Sequence, residues 1–185
     1  MKLFIIGFLF ISLVGTFLHF LYDLSNHNKI VGVFSSVNES VWEHIKLALT
    51  PAFLFSLIDG YLYGYYYNYF FAKLISILSI IIIMPLLFYG TKLILKKHIT
   101  VINILIFFIT VFVSEYLMYK LLIIEPVSYF TEYISLVLLF IIFACYLLLT
   151  IFPLEHIIFK DPITKKYGFD GHKIIRRFFG LKLTK

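Results

Sequence analysis

The sequence contains little charge and almost no cysteine. Asp, Glu, Lys and Arg make up 14% of its 185 residues, whereas about a quarter of the residues in a soluble domain are charged. The single cysteine, Cys145, excludes an intramolecular disulfide, and we expect a buried thiol because its neighbours are apolar. No polar stretch is long enough to form a soluble domain with its own core. These absences indicate an integral membrane protein.

Apolar residues make up 62% of the chain and fall into five long runs. A helix needs about 20 mostly apolar residues to cross a bilayer, and the runs that meet this length are residues 3–22, 45–65, 69–93, 100–122 and 132–152. We therefore predict an all-α, polytopic membrane helical bundle of about five transmembrane helices in residues 1–153. A short, basic, amphipathic cytoplasmic tail follows in residues 154–185. The third and fifth runs carry few polar residues, so we expect them to face lipid or a partner.

Lysine and arginine indicate the orientation. They outnumber Asp and Glu by 16 to 10, and the excess lies in the tail and in the third loop, around Lys96. Because cytoplasmic loops carry the excess of basic residues, we expect a multi-pass protein of the cell membrane with its amino terminus outside and its carboxyl terminus in the cytoplasm. Ile174, Phe178 and Leu181 share one face of the tail, which is typical of a helix on anionic lipid. The expected partner is the bilayer, with its anionic inner leaflet, and not nucleic acid.

One segment, residues 35–51, concentrates polar side chains between the first two runs; we call it the polar segment. Ser36 and Glu39 match the S-x-x-E capping box, which predicts that the second helix begins near residue 37. Glu39 and Glu43 then lie where carboxylates stabilise a helix amino terminus, and Trp42 is placed as an interfacial anchor. Capping and anchoring explain part of this polarity, but they do not explain His44.

The candidate site lies at the cytoplasmic mouth between the first two helices. His19 and Asp23 follow Ser12 and Gly15 along one face of the first helix, and ionisable residues within a span are functional candidates. We predict that a set of polar residues forms a binding site at this mouth: His19, Asp23, Asn26, Asn38, Glu39, Trp42, Glu43, His44, Glu155 and His156. The last two residues would close over the cluster from the tail.

Three chemical uses of this set remain open. His19, Asp23 and His44 offer nitrogen and oxygen ligands to a divalent metal, the one cofactor that the sequence suggests. Glu43 would serve as the catalytic general base of a metal-dependent hydrolase acting on lipid. A polar pocket for a headgroup or a small solute is the third use. We favour a small-solute or ion carrier, or an accessory membrane protein, over the hydrolase and over a purely structural role.

A second set of ionisable residues lies near the outer ends of the spans. Asp59 and Glu115 are each about 20 Å from the cytoplasmic ends of their helices, at 1.5 Å per residue. A structural ion pair with Lys73 is the simpler interpretation of these residues. A continuous polar track from the mouth to Asp59 and Glu115 would instead indicate transport.

Two motifs give the chain a resemblance to a known family. They are the His19-Phe-Leu-Tyr-Asp23 sequence followed by residues 37–47 (VNESVWEHIKL), and residues 159–168 (FKDPITKKYG). In these motifs the chain resembles a bacterial and archaeal family of small integral membrane proteins classed as a domain of unknown function. The resemblance covers the whole chain and implies a polytopic membrane protein, but it implies no activity.

Overall fold

The computed structural model describes residues 2–96 and 100–172, and this part of the chain is helical. Its helices are α1 (Lys2–Leu24), α2 (Lys29–Phe34), α3 (Val41–Tyr63), α4 (Tyr69–Leu95), α5 (Thr100–Leu122) and α6 (Tyr129–Ile151), with one 3₁₀ turn at Gly168–Gly171. All of them except α2 are long and apolar enough to cross a membrane. The predicted all-α, polytopic bundle of five spans is therefore confirmed.

The long helices alternate in direction, and α4 lies at the centre of the bundle. It packs against α3, α5 and α6, while α1 packs against α3 and α5. Ser76, Ile77, Ile80 and Met84 are buried along α4, whereas Ile82, Leu86 and Leu93 are exposed. The expectation that the third run faces lipid or a partner therefore holds for only part of the helix surface. Hydropathy could not reveal this, because a helix surrounded by other helices is as apolar as one surrounded by lipid.

The fifth run, now α6, lies at the edge of the bundle. Ser135, Tyr146 and Thr150 are its buried residues, and most of its other side chains point outward. Cys145 is among those exposed residues, so the prediction of a buried thiol is wrong. An apolar environment for this thiol would come from lipid instead of from protein.

The chain reverses after α1 and enters a short helix that the sequence did not predict. The amide of His27 donates to Tyr22 O (3.0 Å) and that of Asn26 to Asp23 O (3.2 Å), which is the Schellman pattern of a helix carboxyl terminus. Asn26 has a φ of 55°, a left-handed conformation that asparagine tolerates. Asn28 then caps α2 by accepting a hydrogen bond from the amide of residue 30. Asn26 therefore has a structural role in this turn.

The helix that was predicted to begin near residue 37 is α3, and it begins about one turn later, at Val41. Its N-cap is Ser40, whose hydroxyl accepts a hydrogen bond from the amide of Glu43. The capping signal is therefore the second S-x-x-E sequence of the polar segment. The first one, at Ser36, lies in a non-helical stretch, where its hydroxyl donates to a backbone carbonyl. Hydrogen bonds with residues 161 and 168, described below, hold this stretch outside the helix.

Candidate functional site

The polar segment lies at one end of the bundle, where α1 ends and α3 begins; we call this the polar end. Here the last carbonyls of α2 receive hydrogen bonds from side chains of other helices. Lys46 Nζ donates to the carbonyl of residue 32 (2.8 Å), Thr50 Oγ1 to that of residue 34 (2.9 Å) and the Tyr146 hydroxyl to that of residue 33 (3.2 Å). These carbonyls would otherwise be unsatisfied at a buried helix end. The bonds fix α2 against α3 and α6.

Glu43 and Lys46 form a buried ion pair one turn apart on α3. Their charged atoms are 2.8 Å apart, and the side chains are 4% and 0% exposed. The same carboxylate oxygen accepts the amide hydrogen of Val37 (2.9 Å). A base held by a cation and a backbone amide is poorly placed to take a proton from water. The arrangement therefore favours a structural role for Glu43 over the predicted catalytic one.

Residues 153–172, which we call the docked segment, fold back onto the polar segment. Hydrogen bonds between the two include Asn38 Nδ2 to Gly168 O (2.9 Å), the Glu39 amide to Asp161 Oδ1 (3.0 Å) and the Trp42 amide to Ile158 O (2.9 Å). Asp161 also accepts hydrogen bonds from the amides of residues 163 and 164. Two of the predicted binding residues, Asn38 and Trp42, thus serve this contact, and the indole of Trp42 packs 5.0 Å from the Phe159 ring. The two motifs that carry the family resemblance bind each other.

His19 and His44 meet at the polar end, with Glu39 between them. The Nε2 atoms of His19 and His44 are 3.9 and 3.8 Å from the two carboxylate oxygens of Glu39. The centroids of the two imidazole rings are 6.4 Å apart, and Nδ1 of His44 forms a hydrogen bond with the carbonyl oxygen of Ser40. His19 and Glu39 are about a third exposed, so this carboxylate and the His19 imidazole remain open to solvent, whereas the His44 side chain is 12% exposed.

Asp23 belongs to a separate group. Its Oδ1 atom is 3.2 Å from Nε2 of His27 and 3.3 Å from Nε2 of His172. One ligand atom from each of these residues lies within 4.8 Å of the other two. The predicted metal set of His19, Asp23 and His44 is therefore divided between two clusters on neighbouring turns of α1.

Glu155 and His156, which were predicted to close over the cluster, are exposed. The only hydrogen bond found for the His156 ring within the described residues is with the amide of Ile158. A cavity of about 280 Å³ lies beside Glu39 instead, lined also by Tyr89, Lys92 and two lysines of the docked segment. The lining combines charges of both signs with apolar side chains, among them Phe88 and Ile157.

The ionisable residues inside the spans form a buried group nearer the opposite end. Lys73 Nζ is 2.5 Å from Asp59 Oδ2, and the Tyr69 hydroxyl donates to the other oxygen of Asp59 (2.6 Å). Asp59 and Lys73 are at most 2% exposed. For these residues the structure agrees with the simpler interpretation, a buried ion pair linking α3 to α4.

Glu115 differs from that pair. It is 1% exposed, yet neither carboxylate oxygen has a hydrogen-bond partner among the described residues. The carboxylate lies against Gly7 of α1, where an added Cβ atom would be 2.1 Å from Oε2. Gly7 therefore provides the space that this side chain occupies between α1 and α5.

Other polar residues lie at levels of α1 and α5 between Glu115 and the polar end. Gly15 contacts Phe107 just as Gly7 contacts Glu115, and the two contacts are equal steps apart on antiparallel helices. This register places Ser12 and Thr110 at the same level along the helix axes. That level is roughly 7.5 Å along the axis from the level of Glu115, at 1.5 Å per residue. Both hydroxyls are buried and lack a hydrogen-bond partner in residues 2–96 and 100–172.

The same register brings Asn103 level with His19. Glu115, Thr110 with Ser12, and Asn103 with His19 thus lie at three successive levels of the two helices; we call these residues the α1–α5 row, and its last level includes His19 of the His19–Glu39–His44 group. Phe107 interrupts it between the Thr110 and Asn103 levels. Sequence reasoning identified the polar face of α1, but not this register, because pairing between helices has no local signal.

Lys97, and the amphipathic residues Ile174, Phe178 and Leu181, lie outside the described residues. His172 was not predicted to take part in the site. His172 is far from Asp23 in the sequence, so no local pattern indicated their contact. The contact depends on how residues 153–172 dock.

Comparison with known proteins identifies a family but no activity. Residues 1–169 match the model described as "Family of unknown function (DUF6512)". No curated protein and no solved structure matches the chain. Because the match covers most of the chain, the protein belongs to this family of unknown function.

Proposed function

We propose that the protein is a carrier for a proton or a small cation, with Glu115 as the group that binds the ion inside the membrane. The observation that carries the proposal is the buried carboxylate of Glu115, which has no hydrogen-bond partner among the described residues. Ionisable residues within spans are rare and mark ion pathways and proton relays.

Energetics argue against a purely structural role for Glu115. Burying an unpaired ion costs several kcal/mol, and even a neutral polar group without a partner costs about 1–3 kcal/mol. Methionine or leucine would fill the same space without this cost. A bound cation supplies the missing partner, and a bound proton removes the buried charge, so either one explains why a carboxyl group stands at this position.

The charges near Glu115 also favour a cation. Asp59 and Lys73 neutralise each other as a direct ion pair. An ionised Glu115 would therefore add one negative charge beyond this balanced pair. An anion at this place would be repelled, whereas a proton or a metal cation would restore neutrality.

The α1–α5 row supplies a route to Glu115. Hydroxyl groups of Ser12 and Thr110 offer oxygen atoms that can hold a cation or a water molecule, and neither has a partner in the described part of the chain. Phe107, packed against Gly15, separates them from the polar end. We propose that movement of this ring opens the route, and that the polar end is its cytoplasmic mouth.

The test is ion flux into vesicles that contain the full-length protein. Proton entry is followed with a pH-sensitive dye, and entry of Na⁺ and K⁺ with ion-selective dyes, under an imposed gradient. Wild type should exceed empty vesicles for one of these ions, and Glu115→Gln should reduce the flux to the empty-vesicle rate. Glu125→Gln, which makes the same change at an exposed position between α5 and α6, should retain it.

Two results would reject the carrier. One is wild-type flux no faster than that of empty vesicles for all three ions. The other is equal flux from wild type and Glu115→Gln at equal protein content. The alternative of a metal-dependent hydrolase has less support, because its expected base, Glu43, is held by Lys46 and by the amide of Val37.

A further inference from the structure

The end of α1 and the docked segment bring three metal-ligand side chains together. We propose that Asp23, His27 and His172 bind a divalent transition-metal ion, with zinc as the preferred ion. The inference uses none of the residues assigned to the ion route, and it stands if the carrier proposal fails. Imidazole nitrogen and carboxylate oxygen are ligands that zinc accepts, and three protein ligands are typical of a site that keeps a fourth position for water.

The distances fit such a site. Ligands about 2.0–2.1 Å from a tetrahedral ion lie about 3.3 Å from one another. Asp23 Oδ1 is 3.2 Å from Nε2 of His27 and 3.3 Å from Nε2 of His172. The ligand atoms of the two histidines are within 4.8 Å of each other, so a small rotation of the exposed His27 ring would complete the triangle.

The other nitrogen of His172 is already held in the way that metal-binding histidines require. Its Nδ1 atom lies 2.8 Å from the carbonyl oxygen of Val37. A carbonyl can only accept a hydrogen bond, so Nδ1 carries a proton and donates it. Such a bond orients the ring and directs the Nε2 lone pair of a neutral imidazole toward a metal. Nε2 of His172 is buried, and within the described residues it lies 3.3 Å from Asp23 Oδ1 without forming a hydrogen bond.

The backbone presents His27 to the same point. His27 has a φ of 63°, an uncommon left-handed conformation for this residue. The turn that ends α1 holds it there and directs its ring toward Asp23. The ring of Tyr22 packs 5.0 Å from His172 and 5.3 Å from His27, forming one wall of the site.

Exposure indicates what the ion would do. The side chains of Asp23 and His27 are 53% and 42% exposed, while that of His172 is 15% exposed. An ion could therefore enter from solution and keep water in its open position. Because His172 belongs to the docked segment and the other two ligands to the end of α1, the ion would fasten that segment to the bundle.

The experiment is titration of the metal-free, full-length protein in detergent with ZnCl₂, followed by calorimetry and by elemental analysis of the dialysed protein. Co²⁺ serves as a spectroscopic probe of tetrahedral ligation. We expect one bound Zn²⁺ per chain in wild type. His27→Ala and His172→Ala should each weaken binding by roughly tenfold or more. His27 is an exposed turn residue, so its variant should fold even if His172→Ala does not.

His156→Ala is the matched control, because this exposed histidine also lies on the docked segment. Its Zn²⁺ affinity should equal that of wild type. Absence of stoichiometric binding in wild type would overturn the inference. Equal losses in His156→Ala and His27→Ala would indicate adventitious surface binding, which also overturns it. Loss of binding in His44→Ala with none in His27→Ala would assign the metal to the other cluster and reject the site.

Discussion

A structural role and a functional role of Glu115 predict opposite effects of its substitution on the stability of the protein. Glu115→Met replaces a buried, unpartnered carboxyl group by an apolar side chain of similar length. An unsatisfied buried polar group costs about 1–3 kcal/mol, and the 1% exposure of Glu115 leaves water little opportunity to reduce this cost. The substitution also leaves Asp59 and Lys73 as a balanced pair. We therefore expect Glu115→Met to stabilise the protein by about 1–3 kcal/mol while it abolishes ion flux.

The assay is reversible unfolding in mixed micelles with increasing SDS, monitored by helical circular dichroism. Glu132→Met is the control, because this carboxylate accepts hydrogen bonds from the amides of Phe70 (2.9 Å) and Phe71 (3.2 Å). Glu132→Met should destabilise the protein by about 1–3 kcal/mol, because these two amides would lose their acceptor. Destabilisation by Glu115→Met of similar size would refute the reasoning, since it would mean that the carboxylate has a structural partner.

The remaining predictions concern the buried pair that holds α2. Lys46→Met leaves Glu43 as an unpaired buried charge and the carbonyl of Gly32 without its donor, so the free energy of unfolding should fall by about 3–5 kcal/mol. The double variant Glu43→Gln with Lys46→Met removes the unpaired charge and should recover more than half of that loss in the same SDS titration. A double variant less stable than Lys46→Met would contradict the charge argument.

The five spans were predictable because length and apolarity are local properties of the sequence. The third predicted span, residues 69–93, corresponds to α4, which is Tyr69–Leu95 in the structure. The short α2 was not predictable in this way. With only six residues it cannot be stable alone, and the donors that stabilise its end, including Lys46 and Tyr146, come from α3 and α6.

The candidate site was predictable as a location but not as a set of partners. Helical spacing placed His19 and Asp23 on one face, and hydropathy placed His44 at the same end of the bundle. Which carboxylate each histidine meets depends on the turn after α1 and on the docking of residues 153–172. His172 reaches Asp23 only through that docking, and no sequence pattern reports a contact at such a separation.

The central claim is that an ion reaches Glu115 along the α1–α5 row, and thiol accessibility tests it most directly. In a Cys145→Ser background, Thr110→Cys is compared with Ile11→Cys; both native side chains are 0% exposed, but Ile11 packs in the apolar core. A membrane-impermeant thiol reagent is added to reconstituted vesicles. We predict that Thr110→Cys is modified and Ile11→Cys is not. Equal protection of both cysteines would contradict an ion route between α1 and α5.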